Sequence, residues 1–162
     1  MWSLPMIADL PLPQTPTDLA LAYMFAVDRR DWATYRKLFT DEVEVHYEPN
    51  QPGVPKGKVA ADDWVSGAEH TFDPIEATHH TVVPVSVSED GNTALAICNC
   101  QARHFDTQVP GSATFDQFMV YTIHMTKDGG TWRIHRVDAE VLYSVGNPMI
   151  LAKADQEKKS GG

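Results

Sequence analysis

The chain has 162 residues, 43% of them hydrophobic and 22% charged, and a net charge of −9. That length suits one domain with a core of its own, and the acidic balance argues against nucleic acid or an anionic membrane as partner. The only cysteines, Cys98 and Cys100, stand at C-x-C spacing with no second Cys/His cluster at zinc-ligand spacing. Read as buried reduced thiols, they fit a reducing, cytoplasmic compartment.

Residues 1–16 (MWSLPMIADLPLPQTP) carry no basic start and too many prolines for a signal peptide, so an extended arm is expected there. No apolar run is long enough to span a membrane. Thr15-Pro16 reads as a helix cap followed by proline at the first helical position. The run LALAYMFAV (19–27) is apolar on every side, which predicts a helix buried all round. It ends in Asp28-Arg29-Arg30 and so sets a carboxylate at the end of a core helix. A second, amphipathic helix is expected from Asp31, with Trp32, Tyr35, Leu38 and Phe39 on one face.

VEVHYEP (43–49) alternates as a strand, with Val43, Val45 and Tyr47 on one face and Glu44, His46 and Glu48 on the other. NQPGVPKGK reads as a loop and 61–70 as a short helix. From His79 the pattern is β, over 79–88, 93–105, 114–126 and 131–143, with EDGN and KDGG as hairpin turns. Helices followed by an antiparallel meander predict an α+β fold, a curved sheet with helices on its concave side. The expected organisation is one domain over 17–148 and a C-terminal tail over 149–162, of which ADQEKKSGG (154–162) is expected to be disordered.

One strand carries a functional signal. In TALAICNCQARHF (93–105) one face holds Ala94, Ala96, Cys98, Cys100, Ala102 and His104. Small side chains under helices leave space, and a histidine at the end supplies a polar group, as a small-molecule pocket requires. Trp32, Phe25 and Met24 are the large side chains able to fill that space instead. On 114–126, Phe118, Val120, Thr122 and His124 share one face and Gln117, Met119, Tyr121 and Ile123 the other. The sequence leaves open which is concave. His79 and His80 must point to opposite faces.

The stretch AVDRRDWATYRKLFTDEVEVHYEP gives a resemblance. With the strands that follow, it is similar to the SnoaL-like branch of the NTF2-like superfamily, from about Leu19 to Val145. The resemblance implies an α+β cone enclosing a pocket between sheet and helices. Within that branch the pattern looks most like that of the scytalone dehydratases. By that likeness, Asp28 corresponds to a carboxylate ending the first helix, Tyr47 to a pocket tyrosine, His80 to a catalytic histidine and His104 to a second histidine. Val27 and Thr122 depart, standing where those enzymes have a tyrosine and a pocket asparagine. The inward position of His80, with His79 outward, rests mainly on the resemblance.

The implied activity is a cofactor-independent lyase, metal-free, working on a small aromatic or polycyclic hydroxy compound. His80 would act as general base and acid, Asp28 would orient it, Tyr47 would polarise a carbonyl, and His104 would assist or anchor the substrate. Thr122, Phe118, Val120, Trp64 and Met24 are the expected substrate-lining residues. Dehydration and a retro-aldol carbon–carbon cleavage both fit this equipment. The alternatives are an isomerase or cyclase of the same fold, or a non-catalytic subunit such as that of an aromatic-ring dioxygenase. A homodimer or homotrimer is expected, since exposed sheet surfaces of this fold associate.

Overall fold

Thr15 accepts a hydrogen bond from the Asp18 backbone N–H, and the Asp18 side chain accepts one from Thr15 N–H, closing a capping box with Pro16 in the first turn. This starts α1 (Pro16–Asp28) in a computed structural model that describes residues 12–160. The arm expected over 1–16 lies, as far as residue 11, outside the described residues. α1 is not buried all round. Leu19, Tyr23, Ala26 and Val27 are buried, while Leu21 and Phe25 are exposed. Those two lie four residues apart, one above the other on the helix side that no other layer of the described residues covers.

α1 ends in a Schellman turn. Arg30 N–H donates to Val27 O and Asp31 N–H to Ala26 O, with Arg30 at φ 55°. Asp31 then caps the short α2 (Trp32–Lys37). Leu38 ends that helix, and Phe39 already belongs to β1 (Phe39–Glu48). The last two residues of the stretch expected to be a loop (50–58) begin β2 (Gly57–Ala60), which pairs antiparallel with β1. α3 (Ala61–Phe72) follows, then β3 (Ala77–Asp90), β4 (Thr93–Phe105), β5 (Thr114–Asp128) and β6 (Thr131–Gly146).

The six strands form one curved, unclosed sheet in the order β2-β1-β6-β5-β4-β3, and the fold is α+β, as expected. The meander is antiparallel from β3 to β6, but β1 runs parallel to β6, a pairing not foreseen from the alternation alone. α1 packs on β3, β4 and β6, and α3 on β1. The core lies between them, around Leu19, Tyr23, Phe39, Ile123 and Ile134.

The tail is ordered as far as it is described. A 3-10 turn (Pro148–Ile150) buries Ile150 against Ile75, Val109 and Phe115, and α4 (Lys153–Ser160) follows. Lys153 Nζ donates to the fully buried Asp106 carboxylate at 2.6 Å. The apolar anchor Ile150 and the buried ion pair of Lys153 both precede the charged run ADQEKKS (154–160), whose composition suggested disorder.

Candidate active site

The small side chains of β4 do leave a hollow. Ala94, Ala96, Cys98, Cys100, Ala102 and His104 all face the helices and are buried. Antiparallel pairing puts a β5 residue on the same face opposite each one, Tyr121 against Cys98, Met119 against Cys100 and Gln117 against Ala102. A cavity of about 160 Å³ lies at the His104 end, among Tyr23, Met24, Tyr35, Tyr47, Trp64, Phe72, His80, Ala102, His104, Gln117, Met119 and Tyr121. Of the side chains able to fill it, Phe25 is exposed and Trp32, which donates to Asp73 Oδ1, is not among its lining residues; Met24 borders the space.

His80 faces inward, its side chain 3% exposed, and His79 is exposed on the other side of β3. Asp28 lies behind His80. Its Oδ1 accepts from His80 Nδ1 at 2.6 Å and from Thr78 Oγ1 at 2.9 Å, and its Oδ2 accepts the His80 backbone N–H at 2.7 Å. Arg30 holds the same corner, donating to Thr78 Oγ1 and to Val27 O, each at 2.8 Å. The end of α1 is thereby stitched to the start of β3. Burial by itself raises the Asp28 carboxyl, but the ring, charge and backbone N–H of His80 outweigh it and hold the group below its ordinary range. A carboxylate at Nδ1 fixes the tautomer with its proton there, leaving the Nε2 lone pair free.

His104 sits at right angles to His80, ring centroids 5.8 Å apart, stacked on Phe72 and beside Phe115. Its Nδ1–H donates to Phe115 O at 2.9 Å. Burial, then the neighbouring His80, pushes its pKa down to about 4. It is a neutral imidazole at physiological pH, with Nε2 as an acceptor.

The far end of the cavity is phenolic. Tyr23, Tyr35, Tyr47 and Tyr121 are raised above the ordinary tyrosine value, in each case chiefly by burial. All four stay protonated and able to donate. Sequence reasoning singled out only Tyr47. Tyr23, one turn before Val27 on α1, lay hidden inside an apolar run, and Tyr121 lay on the face of β5 whose orientation alternation left open.

That face reverses part of the expected lining. Trp64 and Met24 border the cavity, but Phe118, Val120 and Thr122 do not, since they point to the opposite side of β5. Phe118 stacks there on Tyr143 at 4.4 Å. Both faces of β5 carry large side chains, so periodicity could not rank them. The small residues of β4 required large partners, and those are Met119, Tyr121 and Ile123. Among the described residues no group of three or more His, Cys, Asp or Glu is placed to hold a metal ion. No described helix is long and apolar enough to cross a membrane.

A curved open sheet roofed by helices, with a polar-ended hollow between the layers, defines the class of NTF2-like α+β proteins. Residues 17–138 match the SnoaL-like domain family, and the chain belongs to it. No curated protein matches the chain. Among solved structures it is similar to the Kfla4162 protein of Kribbella flavida, with 20% identity over 85% of this chain and 93% of that one, at a TM-score of 0.73. It is similar also to a protein of Novosphingobium aromaticivorans provisionally assigned as a scytalone dehydratase, at 17% identity over 81% and 84% of the chains and a TM-score of 0.69. A third is the hexachlorocyclohexane dehydrochlorinase LinA-type3 of Novosphingobium barchaimii, at 14% identity over 82% and 87% of the chains and a TM-score of 0.66. At these identities the likeness is one of fold.

Proposed function

We propose that the protein is a cofactor-independent lyase that removes a proton next to a carbonyl and expels a leaving group from the neighbouring carbon, with water as the first candidate. The observation that carries this reading is the Asp28–His80 pair on the cavity wall, 2.6 Å between Oδ1 and Nδ1. His80 Nε2 takes the α-proton, and the imidazolium so formed is stabilised by Asp28 and returns the proton to the departing hydroxyl. Tyr47 polarises the carbonyl as charge develops on its oxygen. His104, fixed as a neutral acceptor, receives a substrate hydroxyl rather than carrying a proton itself. Elimination is in keeping with the names of two solved structures of the same fold, a dehydratase and a dehydrochlorinase.

The test is a panel of small aromatic and alicyclic β-hydroxy ketones, incubated with the protein and followed by mass spectrometry for loss of water. His80→Ala is expected to lower turnover at least about 10²-fold with the fold intact. Isomerised product at unchanged mass, or turnover indifferent to His80, would replace this reading.

A further inference from the structure

Among the described residues, no Lys or Arg lines the cavity, and residues 1–11 and 161–162, which lie outside that range, include neither. Besides the histidines, the tyrosines and Trp64, the polar side chains on its wall are Gln51, Gln117 and Thr71, all uncharged, and the carboxylates Asp63 and Asp155. The two carboxylates are exposed, as are the lining residues Pro52 and Gly53, and together they mark the entrance. Lys153 stands in sequence between the lining residues Leu151 and Asp155, yet its ammonium is committed to Asp106 at 2.6 Å. Arg30 is committed to Thr78 and Val27. Lys56, next to the lining Pro55, is exposed and does not join the wall.

Further in, any positive charge that His80 takes up already meets the Asp28 carboxylate at 2.6 Å, and His104 is neutral at physiological pH. An anionic group carried into the hollow would give up its water and gain no cation. That costs far more than burying a neutral polar group. Volume sets a second limit. At about 160 Å³ the hollow has the size that takes one benzene ring, as an apolar cavity of roughly 150 Å³ does. Ala102 lines it between His80 on β3 and Gln117 on β5, its partners in register. A second fused ring would extend into the acidic entrance.

We propose that the cavity selects one uncharged ring of benzene size, and that the substrate is a monocyclic neutral ketone rather than an acid, a phosphate ester or a fused-ring compound. Calling that ring the substrate rests on the lyase reading above; the selectivity itself does not.

Acetophenone, benzamide and benzoate are probes of nearly equal size and shape, of which only benzoate is charged at neutral pH. 2-Acetylnaphthalene adds one fused ring to acetophenone. Binding is measured by calorimetry, and the ring signals of His104 place each ligand in the cavity. The neutral pair should bind about tenfold or more tightly than benzoate, which must bury an unpaired charge. 2-Acetylnaphthalene should bind no more tightly than acetophenone, although full burial of its added ring would strengthen binding about tenfold or more. Asp63→Lys should raise benzoate affinity about threefold relative to acetophenone, an effect that fades in high salt because the residue is exposed. Benzoate bound as tightly as acetophenone overturns the charge selectivity, and a tighter 2-acetylnaphthalene overturns the single-ring limit. No binding of the neutral pair at millimolar concentration overturns both. A preference for neutral rings kept in a His80→Ala protein that turns nothing over supports the selectivity, whatever becomes of the lyase reading. Turnover that depends on His80, with neutral and anionic rings bound alike, keeps the lyase and removes the selectivity.

Discussion

Asp28 grips His80 twice, through the ring Nδ1 at 2.6 Å and through the backbone N–H at 2.7 Å. The second bond fixes the strand that carries the ring, so both the tautomer and the position of the imidazole depend on one carboxylate. Asp28→Asn keeps the size and one acceptor but can place an amide N–H against Nδ1. The proton then moves to Nε2 and the lone pair leaves the cavity. Activity is expected to fall about 10²-fold or more, and the ¹⁵N shifts of His80 should report the switched tautomer. Full activity in Asp28→Asn would remove Asp28 from the proposed machinery.

Arg30 tests positioning from one step further back. It holds φ 55°, where glycine is usual, while its guanidinium donates to Thr78, which itself donates to Asp28. Arg30→Gly relieves the backbone and removes the brace. The melting temperature should change little, because about 1 kcal/mol of relieved left-handed strain offsets lost hydrogen bonds of similar size. Turnover should fall about tenfold with KM steady, a 1.4 kcal/mol loss confined to the transition state. A fall in KM-linked binding alone would show that Arg30 shapes the pocket rather than the dyad.

How much of this was legible in the sequence depends on where the information lay. Asp28 could be placed because an apolar helix must end at its first charges, and the small face of β4 because alternation over thirteen residues admits one parity. The lining from β5 could not, since its two faces are equally bulky and the β4–β5 register is set by tertiary packing. Tyr23 reads in the sequence like any core aromatic, and only the fold shows that the residue borders the hollow. β2 is four residues long and owes its existence to pairing with β1, which no local pattern announces. His80 was placed by likeness to a family, because Pro84 and the shift in register beside it disturb the alternation of β3.

His104 makes stability depend on pH in a definite window. Its pKa is about 4 in the fold, against 6.5 for the unperturbed group. Above 6.5 neither state binds the proton. Below it the unfolded chain takes the proton first, so stability falls as pH drops, and the loss is complete once the folded state also protonates near 4. The full loss is about 3 kcal/mol. Asp28, held below its ordinary range, acts only at more acid pH, where its protonation removes the stability it gives. Urea denaturation from pH 7 to 4 should therefore show a steeper decline in wild type than in His104→Gln. Parallel curves would mean that His104 protonates as readily in the fold as outside it.

Lys153 and Asp106 give α4 a measurable role. The carboxylate is fully buried, and also accepts the backbone N–H of Gln108 at 2.8 Å and of Glu76 at 3.3 Å. Lys153→Met strips its cation and should cost about 3 kcal/mol, or roughly 10 °C in melting temperature. The double variant Asp106→Asn with Lys153→Met should recover part of that, since no buried charge then lacks its partner. No change in the single variant would place α4 off the body of the protein, and with it Leu151 and Asp155, which border the cavity mouth.

Cys98 and Cys100 supply a test of the cavity wall that needs no substrate. Both are buried on the small face of β4, and burial pushes the thiols up to about 11 and about 12. Only the thiolate attacks a disulfide reagent, so at pH 8 the folded protein should react with Ellman's reagent very slowly. Two thiols should appear together on unfolding, at the rate of unfolding itself. Because Cys100 lies between Cys98 and the cavity-lining Ala102 along that face, early labelling of a single thiol would mark it as reachable from the hollow. Such a result would make the floor of the cavity open at Cys100, and the space available to a ligand larger than about 160 Å³.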